Sequence, residues 1–176
     1  QEIFNLTDFW IDSLFHLEGE SAKHDPAFAQ ELRQTHAALT ARWREETLEK
    51  QALAAVLDAA DRLGKGLVLM VENLQALSRN VDDDFGWKLR GVLQSEPQIM
   101  LVASATSRFK GLDDAEQPFF ELFRIVGLEP LDTDECRRLW QVVSGDEVTG
   151  SEIRPLEMLT GGRPRLLGRV PGAGQD

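Results

Sequence analysis

Residues 66–77 read Gly-Leu-Val-Leu-Met-Val-Glu-Asn-Leu-Gln-Ala-Leu. From Gly66 to Val71 every position is apolar or glycine, and Glu72 is the first acid that follows. An unbroken apolar run is typical of a strand that is buried on both faces, as in a parallel sheet covered by helices. Since α/β folds bind ligands at the carboxyl edge of the sheet, Glu72 is expected to lie in such a crevice. The alternative is a core strand that leads into a helix whose first turn favours an acid.

Two more apolar segments also predict strands. Residues 98–107 form a second continuous apolar run that ends in small hydroxyl residues, and residues 124–128 form a third, shorter one. Apolar residues at helical spacing predict helices at about 7–19, 26–39, 44–63 and 82–95. No strand signal follows Pro130, and the remaining patterns are helical. The sequence therefore predicts an α/β core with parallel strands in residues 1–130 and a small all-helical subdomain in residues 131–176.

The composition is that of a globular protein of about one domain. Of the 176 residues, 42% are hydrophobic, which suffices for a core that is expected to include Phe9 and Trp10. The net charge of −11 argues against a nonspecific grip on nucleic acid, which requires clustered Lys and Arg. No apolar run approaches the ~20 residues that span a bilayer, and the N-terminus has no signal-peptide pattern. The single cysteine, Cys136, excludes an internal disulfide. We therefore expect a cytoplasmic protein without a membrane or nucleic-acid partner.

The order of these segments resembles the AAA+ family of P-loop ATPases, in the branch near the origin-recognition and STAND-like ATPases. Residues 67–77 resemble the Walker B strand, and residues 99–107 resemble the sensor 1 strand. Arg124 stands where the family often has its arginine finger, and Thr160-Gly-Gly-Arg-Pro-Arg165 resembles the sensor 2 motif of the lid. The resemblance implies a partial three-layer αβα P-loop core that is followed by a helical lid.

The resemblance also implies roles for the residues that follow the first two strands. Glu72 aligns with the acid that helps to hold Mg2+, and Asn73 aligns with the catalytic glutamate. Thr106 or Ser107 would position the attacking water or sense the γ-phosphate, although ordinary strand-end caps are an equal interpretation of both. Because asparagine cannot accept a proton from water, hydrolysis is expected to be slow or absent.

Three arginines are the remaining candidate site residues. The resemblance implies that Arg124 completes the site of a neighbouring subunit, whereas a surface position at a sheet edge is the alternative. Arg165 would contact the phosphates from the lid, and Arg163 is its rival for that role.

No Walker A loop occurs in the sequence. The pair Gly64-Lys65 does not qualify, because the loop G-x-x-x-x-G-K-[ST] joins a strand to a following helix, and here a predicted helix precedes and a strand follows. In the family this loop would lie upstream of Gln1. ATP and Mg2+ are therefore implied as cofactors only where that part is present, because the loop supplies most of the phosphate affinity. The chain is expected to be either part of a longer protein or a remnant that has repurposed the fold.

Two functions follow as hypotheses. The first is a regulatory module that binds ATP or ADP as a switch, with a protein partner or self-association. The alternative is a non-catalytic protein-interaction module on a degenerate AAA+ fold. Tight Mg-ATP binding that depends on Glu72 and Arg165 favours the first hypothesis, and partner-dependent stability that ignores nucleotide favours the second.

Overall fold

The computed structural model describes residues 3–42 and 47–168. It divides into two compact units, Gln1–Arg124 and Ile125–Asp176. The predicted start of the third helix at 44 and the last residues of the predicted subdomain lie outside the described residues. None of the helices in the described ranges is long and apolar enough to cross a lipid bilayer.

The first unit begins with three helices: α1 (Leu6–Ser21), α2 (Pro26–Thr40) and α3 (Leu48–Leu63). The side chain of Asn5 accepts a hydrogen bond from the backbone N–H of Asp8 and so caps α1. Asp25 caps α2 in the same way, and Pro26 occupies its first position. Gly64 ends α3 in the left-handed conformation, with φ of 59°, which glycine adopts without steric cost. The chain then enters the first strand.

The rest of the first unit alternates two strands with short helices: β1 (Leu67–Val71), α4 (Leu74–Asn80), α5 (Phe85–Ser95), β2 (Ile99–Ala103) and α6 (Lys110–Asp113). β1 and β2 pair in parallel, with Leu67 opposite Ile99 and Val71 opposite Ala103. The two strands therefore end at the same edge of the sheet.

One face of this sheet is covered and the other is open. Leu67, Leu69, Val71, Ile99 and Leu101 pack against the core. The side chains between them point to the other face, because successive side chains of a strand alternate; they are Val68 (57% exposed), Met70 (82%), Met100 (61%) and Val102 (47%). The prediction of a strand buried on both faces is therefore wrong. We call these four side chains the open face.

The predicted three-layer αβα P-loop core is also wrong. The sheet of the described residues has two strands, and the described chain is mostly helical. The segment 124–128, predicted as a third strand, has no strand structure, and its apolar residues Ile125, Val126 and Leu128 are exposed. The physical reason is that a strand requires a hydrogen-bonded neighbour, and a third layer requires helices on the open face. Among the described residues, the segment 124–128 has no such neighbour, and no helix of the first unit covers the open face.

The core of the first unit lies between the covered face of the sheet and the helices. Trp10, Leu14, Phe85 and Leu89 have no measurable exposure. The Phe9 ring packs edge-on against Trp10, with centroids 5.0 Å apart, and contacts Phe85 in the same manner. The expectation that Phe9 and Trp10 belong to the core is confirmed.

The segment after β2 is held by α5. The guanidinium of Arg90 donates through Nη1 to the carbonyl oxygens of Pro118 (2.8 Å) and Phe120 (2.7 Å). Gly86 of α5 lies directly under Pro118, where an added Cβ would come within 2.4 Å of the proline ring. These contacts fix the end of the first unit against α5.

The second unit consists of α7 (Thr133–Ser144), α8 (Gly150–Thr160) and the short α9 (Pro164–Leu167). Its core contains Cys136, Trp140, Ile153 and Leu167. Asp132 and Glu135 form a capping box at the start of α7, which satisfies backbone N–H groups that a helix start leaves unpaired. Thr149 and Glu152 do the same for α8.

Two consecutive glycines join α8 to α9. Gly161 and Gly162 both have positive φ, 60° and 65°. Gly162 is buried, and its carbonyl accepts a hydrogen bond of 2.8 Å from the backbone N–H of Leu131. The glycines of the Thr160-Gly-Gly-Arg-Pro-Arg165 motif therefore have a conformational reason that is independent of any ligand.

Candidate functional site

Polar groups meet where β1 and β2 end. The backbone N–H of Ser104 donates to the carbonyl of Val71, and that of Leu74 donates to the carbonyl of Ser104, both at 2.9 Å. The N–H of Asn73 donates to Ser104 Oγ at 3.2 Å. Glu72 and the hydroxyl residues after β2 therefore belong to the same edge of the sheet. Ser104, which ties the two strand ends together, was not singled out from the sequence.

Asn73 adopts the left-handed conformation, with φ of 61° and ψ of 52°. Asparagine tolerates this conformation better than most residues, since its short polar side chain bonds locally. Asparagine at this position thus has a backbone explanation, whether or not the residue contacts a ligand. A glutamate here lacks that tolerance.

We expect Asn73→Glu to lower the free energy of unfolding by about 1 kcal/mol, the cost of a left-handed residue with a larger side chain. Asn73→Gly should leave stability unchanged or raise it slightly, because glycine adopts positive φ freely. Urea unfolding followed by far-ultraviolet circular dichroism measures both changes. Equal losses in the two variants would show that side-chain contacts of Asn73, and not its backbone conformation, determine its contribution.

Gln75 is a polar residue that sequence reasoning missed. It is buried at 6% exposure, and its Nε2 donates to Thr106 Oγ1 at 2.5 Å. Among the described residues its Oε1 has no hydrogen-bond partner, although a buried unsatisfied acceptor costs about 1–3 kcal/mol. Thr106 thus accepts a hydrogen bond from Gln75, whereas the side chain of Ser107 is exposed. The one feature of the sequence that could have indicated a buried polar residue is this glutamine within an apolar stretch, three residues after Glu72.

Glu72 is the carboxylate that this edge offers to a metal ion. Glu72 is exposed and follows β1, but the described ranges contain no group of three or more His, Cys, Asp or Glu side chains that suits a metal ion. Magnesium is usually bound by one or two carboxylates together with substrate phosphates. Glu72 would be that carboxylate, and no loop in this sequence would cradle the phosphates.

The three candidate arginines are divided between the two units. Arg124 is exposed at the end of the first unit and lies outside any strand. Arg163 and Arg165 are exposed in the second unit, where Arg163 is the N-cap residue of α9. The first unit therefore contains Glu72, Asn73, Thr106, Ser107 and Arg124, and the second contains the two lid arginines.

Cys136 is a buried residue of the second core, not a nucleophile at a surface. Burial raises the pKa of its thiol, and the nearby carboxylates of Glu157, Asp132 and Glu135 raise it further. A thiol with a raised pKa forms little of the reactive thiolate.

A groove runs between α1 and the free edge of β1. It has a volume of about 530 Å³, and β1 contributes every residue from Leu67 to Val71 to its wall. The charged or imidazole side chains that line it are Asp12, His16, Glu20 and Glu72, and no described Lys or Arg lines it. His16 Nε2 lies 3.4 Å from Asp12 Oδ2. We call this feature the α1–β1 groove; the sequence did not predict it.

The β1 wall of the α1–β1 groove has backbone groups that no other described strand pairs with. In a parallel ladder every second residue of a strand bonds to the neighbour on one side. The N–H of Leu67 and the carbonyl of Val71 bond towards β2, so the backbone groups of Val68 and Met70 point to the opposite, free edge. Such an edge is a template for another strand.

Comparison of the chain with models of protein families, with curated proteins and with solved structures yields no match. The resemblance to AAA+ ATPases therefore stays a prediction that rests on the motifs alone.

Proposed function

We propose that this chain is a protein-interaction module that binds an extended polypeptide on its two-stranded sheet. The supporting observation is that β1 is apolar on the open face and that one of its edges pairs with no strand in the part of the chain that the structure describes. Val68 lies opposite Met100, and Met70 lies opposite Val102, so the four exposed side chains form one continuous patch. Contiguous exposed apolar patches mark interaction surfaces.

A polypeptide strand is the occupant that fits both features. Its backbone would pair with the free N–H and C=O groups of Val68 and Met70, and its alternate side chains would cover part of the open face. A small apolar ligand would leave the backbone edge unpaired. The proposal requires no nucleotide and no catalytic residue.

Selection of short random peptides displayed on phage against the full chain tests this proposal. The expected result is a set of extended, apolar-rich peptides whose affinity falls by about tenfold or more in Met70→Asp. Met158→Asp is the matched control, since Met158 of α8 is 78% exposed compared with 82% for Met70. Met70→Thr, which suits a strand better than aspartate, guards against a folding defect. The proposal fails if no peptide is enriched, or if Met70→Asp and Met158→Asp bind equally well.

A nucleotide switch is our second proposal, favoured by one observation. Glu72 and the residues Ser104, Thr106 and Ser107 belong to the same end of the sheet, where an acid and hydroxyls suit a Mg2+-bound phosphate. Slow or absent hydrolysis would accompany it, because Asn73 cannot act as a base. Isothermal titration calorimetry with Mg-ATP supports this proposal if Glu72→Gln abolishes the heat of binding. Nucleotide-independent stability of the chain counts against it.

We also propose that the protein is located in the cytoplasm. The sequence contains one cysteine, and a protein without disulfides suits a reducing compartment.

A further inference from the structure

We propose that the bound polypeptide lies in the α1–β1 groove as a third strand and carries basic side chains, Lys or Arg, between its apolar ones. This inference rests on the proposed function and deepens it, because it assigns one of the two sheet edges and the chemistry of the ligand.

The length of β1 sets the length of an added strand. Neighbouring strands lie about 4.8 Å apart, and α1 forms the opposite wall of the groove. The five residues of β1 extend over about 16 Å at the usual rise per residue. A segment of about five residues would therefore pair along the whole edge.

Part of the groove lining is apolar. Phe9, Leu17, Val56 and Leu77 contribute to its lining, and Phe9 and Val56 also belong to the buried core. Side chains on one side of the added strand would pack against this surface, and burial of a medium-sized apolar side chain contributes about 1.5–3 kcal/mol. The occupant is therefore expected to alternate apolar residues with residues of another kind.

The charge of the groove indicates that the residues between the apolar ones are basic. Asp12, Glu20 and Glu72 are its charged lining residues, and all three are acidic. Glu20 already has a cationic partner, since Lys23 Nζ lies 2.7 Å from its carboxylate. The carboxylates of Asp12 and Glu72 are available to pair with a cationic ligand. Within the described ranges, the one ion-pair partner of Asp12, whose side chain is 19% exposed, is His16, and Glu72 has no Lys or Arg partner.

Cationic side chains of the occupant would pair with these carboxylates. Asp12 comes from the middle of α1 and Glu72 follows the end of β1, so they lie on different elements of the groove. Charge complementarity of this kind raises association rates and discriminates between partners. The overall charge of −11 acts in the same direction. An acidic segment would meet repulsion at both carboxylates.

Three labelled synthetic peptides with the same alternating valine scaffold test the inference on the full chain. The residues that alternate with valine are lysine in the first peptide, threonine in the second and glutamate in the third. Fluorescence anisotropy is expected to show that the lysine peptide binds about tenfold or more tighter than the glutamate peptide. The double variant Asp12→Asn, Glu72→Gln should reduce this preference about fivefold or more. Asp58→Asn is the control, since Asp58 is exposed on α3 and does not line the groove.

Backbone methylation of the lysine peptide tests strand addition itself. Methyl groups on alternate backbone nitrogens block one edge of the peptide strand and leave the other edge intact. We expect methylation in one register to abolish binding and methylation in the other register to have little effect, because only one peptide edge faces β1. Equal effects of both registers would overturn the inference.

The outcomes separate this inference from the proposed function. If the threonine peptide binds and Met70→Asp abolishes its binding, but the lysine peptide binds no tighter than the glutamate peptide or the double variant does not reduce that preference, the basic ligand is refuted and the interaction module stands. If none of the three synthetic peptides binds and phage display enriches no peptide, both this inference and the proposed function fail. If light scattering shows a dimer that Met70→Asp dissociates and the lysine peptide does not, a second copy is the occupant and the inference is overturned.

Discussion

Replacement of Gly162 by alanine is expected to lower the free energy of unfolding of the second unit by about 3 kcal/mol. Two costs add up at this position. With φ of 65°, a residue with a side chain costs about 1–2 kcal/mol. An added Cβ would also lie 2.3 Å from the carbonyl oxygen and 3.0 Å from the nitrogen of Leu131. Both are backbone atoms, and the nitrogen donates a hydrogen bond to the carbonyl of Gly162, so they cannot move aside cheaply.

Gly161→Ala is the matched control for this prediction. Gly161 has nearly the same φ, 60°, but its added Cβ would have no neighbour within 4 Å. The loss should therefore be limited to the conformational cost of about 1 kcal/mol. Hydrogen exchange of the α7 and α8 amides, measured by mass spectrometry on the full chain, reports the local stability of each variant. Equal protection in the two variants would contradict the contact with Leu131.

Trp10→Ala is expected to lower the free energy of unfolding of the first unit by about 3–5 kcal/mol. Trp10 is completely buried and lies edge-on against Phe9. Its removal leaves a cavity in a core that receives side chains from α1, α5 and the sheet. Chemical unfolding followed by far-ultraviolet circular dichroism measures the change.

Trp10→Phe separates ring packing from hydrogen bonding. The indole Nε1 of Trp10 is buried and has no hydrogen-bond partner among the described residues. Phenylalanine keeps an aromatic ring and removes this unsatisfied donor, which offsets part of the lost contact. We therefore expect a loss below about 2 kcal/mol. A loss as large as that of Trp10→Ala would show that the indole N–H has a partner and contributes to stability.

Helix positions could be predicted well from the sequence. The segment 26–39 was predicted from Pro26 and its apolar spacing, and α2 extends over Pro26–Thr40. The predicted helix at 82–95 corresponds to α5, Phe85–Ser95. Helical periodicity is a local property, so it can be recognised without knowledge of the partners. The first helix was predicted to begin at 7, but the local cap is Asn5.

The surroundings of the sheet could not be predicted in the same way. Val68 and Met70 are as apolar as their neighbours Leu67 and Leu69, and nothing in the run indicates which face is covered. Coverage depends on which helices pack against the sheet, which is a property of the whole unit. The prediction of a strand at 124–128 was wrong for a related reason, since apolar composition does not supply the hydrogen-bonded neighbour that a strand needs.

The candidate site could be predicted only in part. The end of an apolar run located Glu72, and parallel pairing of β1 with β2 puts the hydroxyl residues at the same edge. The pairing of Gln75 with Thr106 joins residues that are 31 positions apart, which no local pattern reveals. The α1–β1 groove likewise requires that α1 packs beside β1. Its acids were visible in the sequence, but their common location was not.

The open face also determines how the protein responds to oxidants. The sequence contains three methionines, and all of them are exposed: Met70 (82%), Met100 (61%) and Met158 (78%). Oxidation to the sulfoxide turns a flexible apolar side chain into a polar one, and reductases reverse it. Met70 and Met100 lie on the sheet and outside the core, so sulfoxides there would make its surface polar without opening a cavity. Oxidant exposure would thus change what this surface attracts while leaving the packed interior intact.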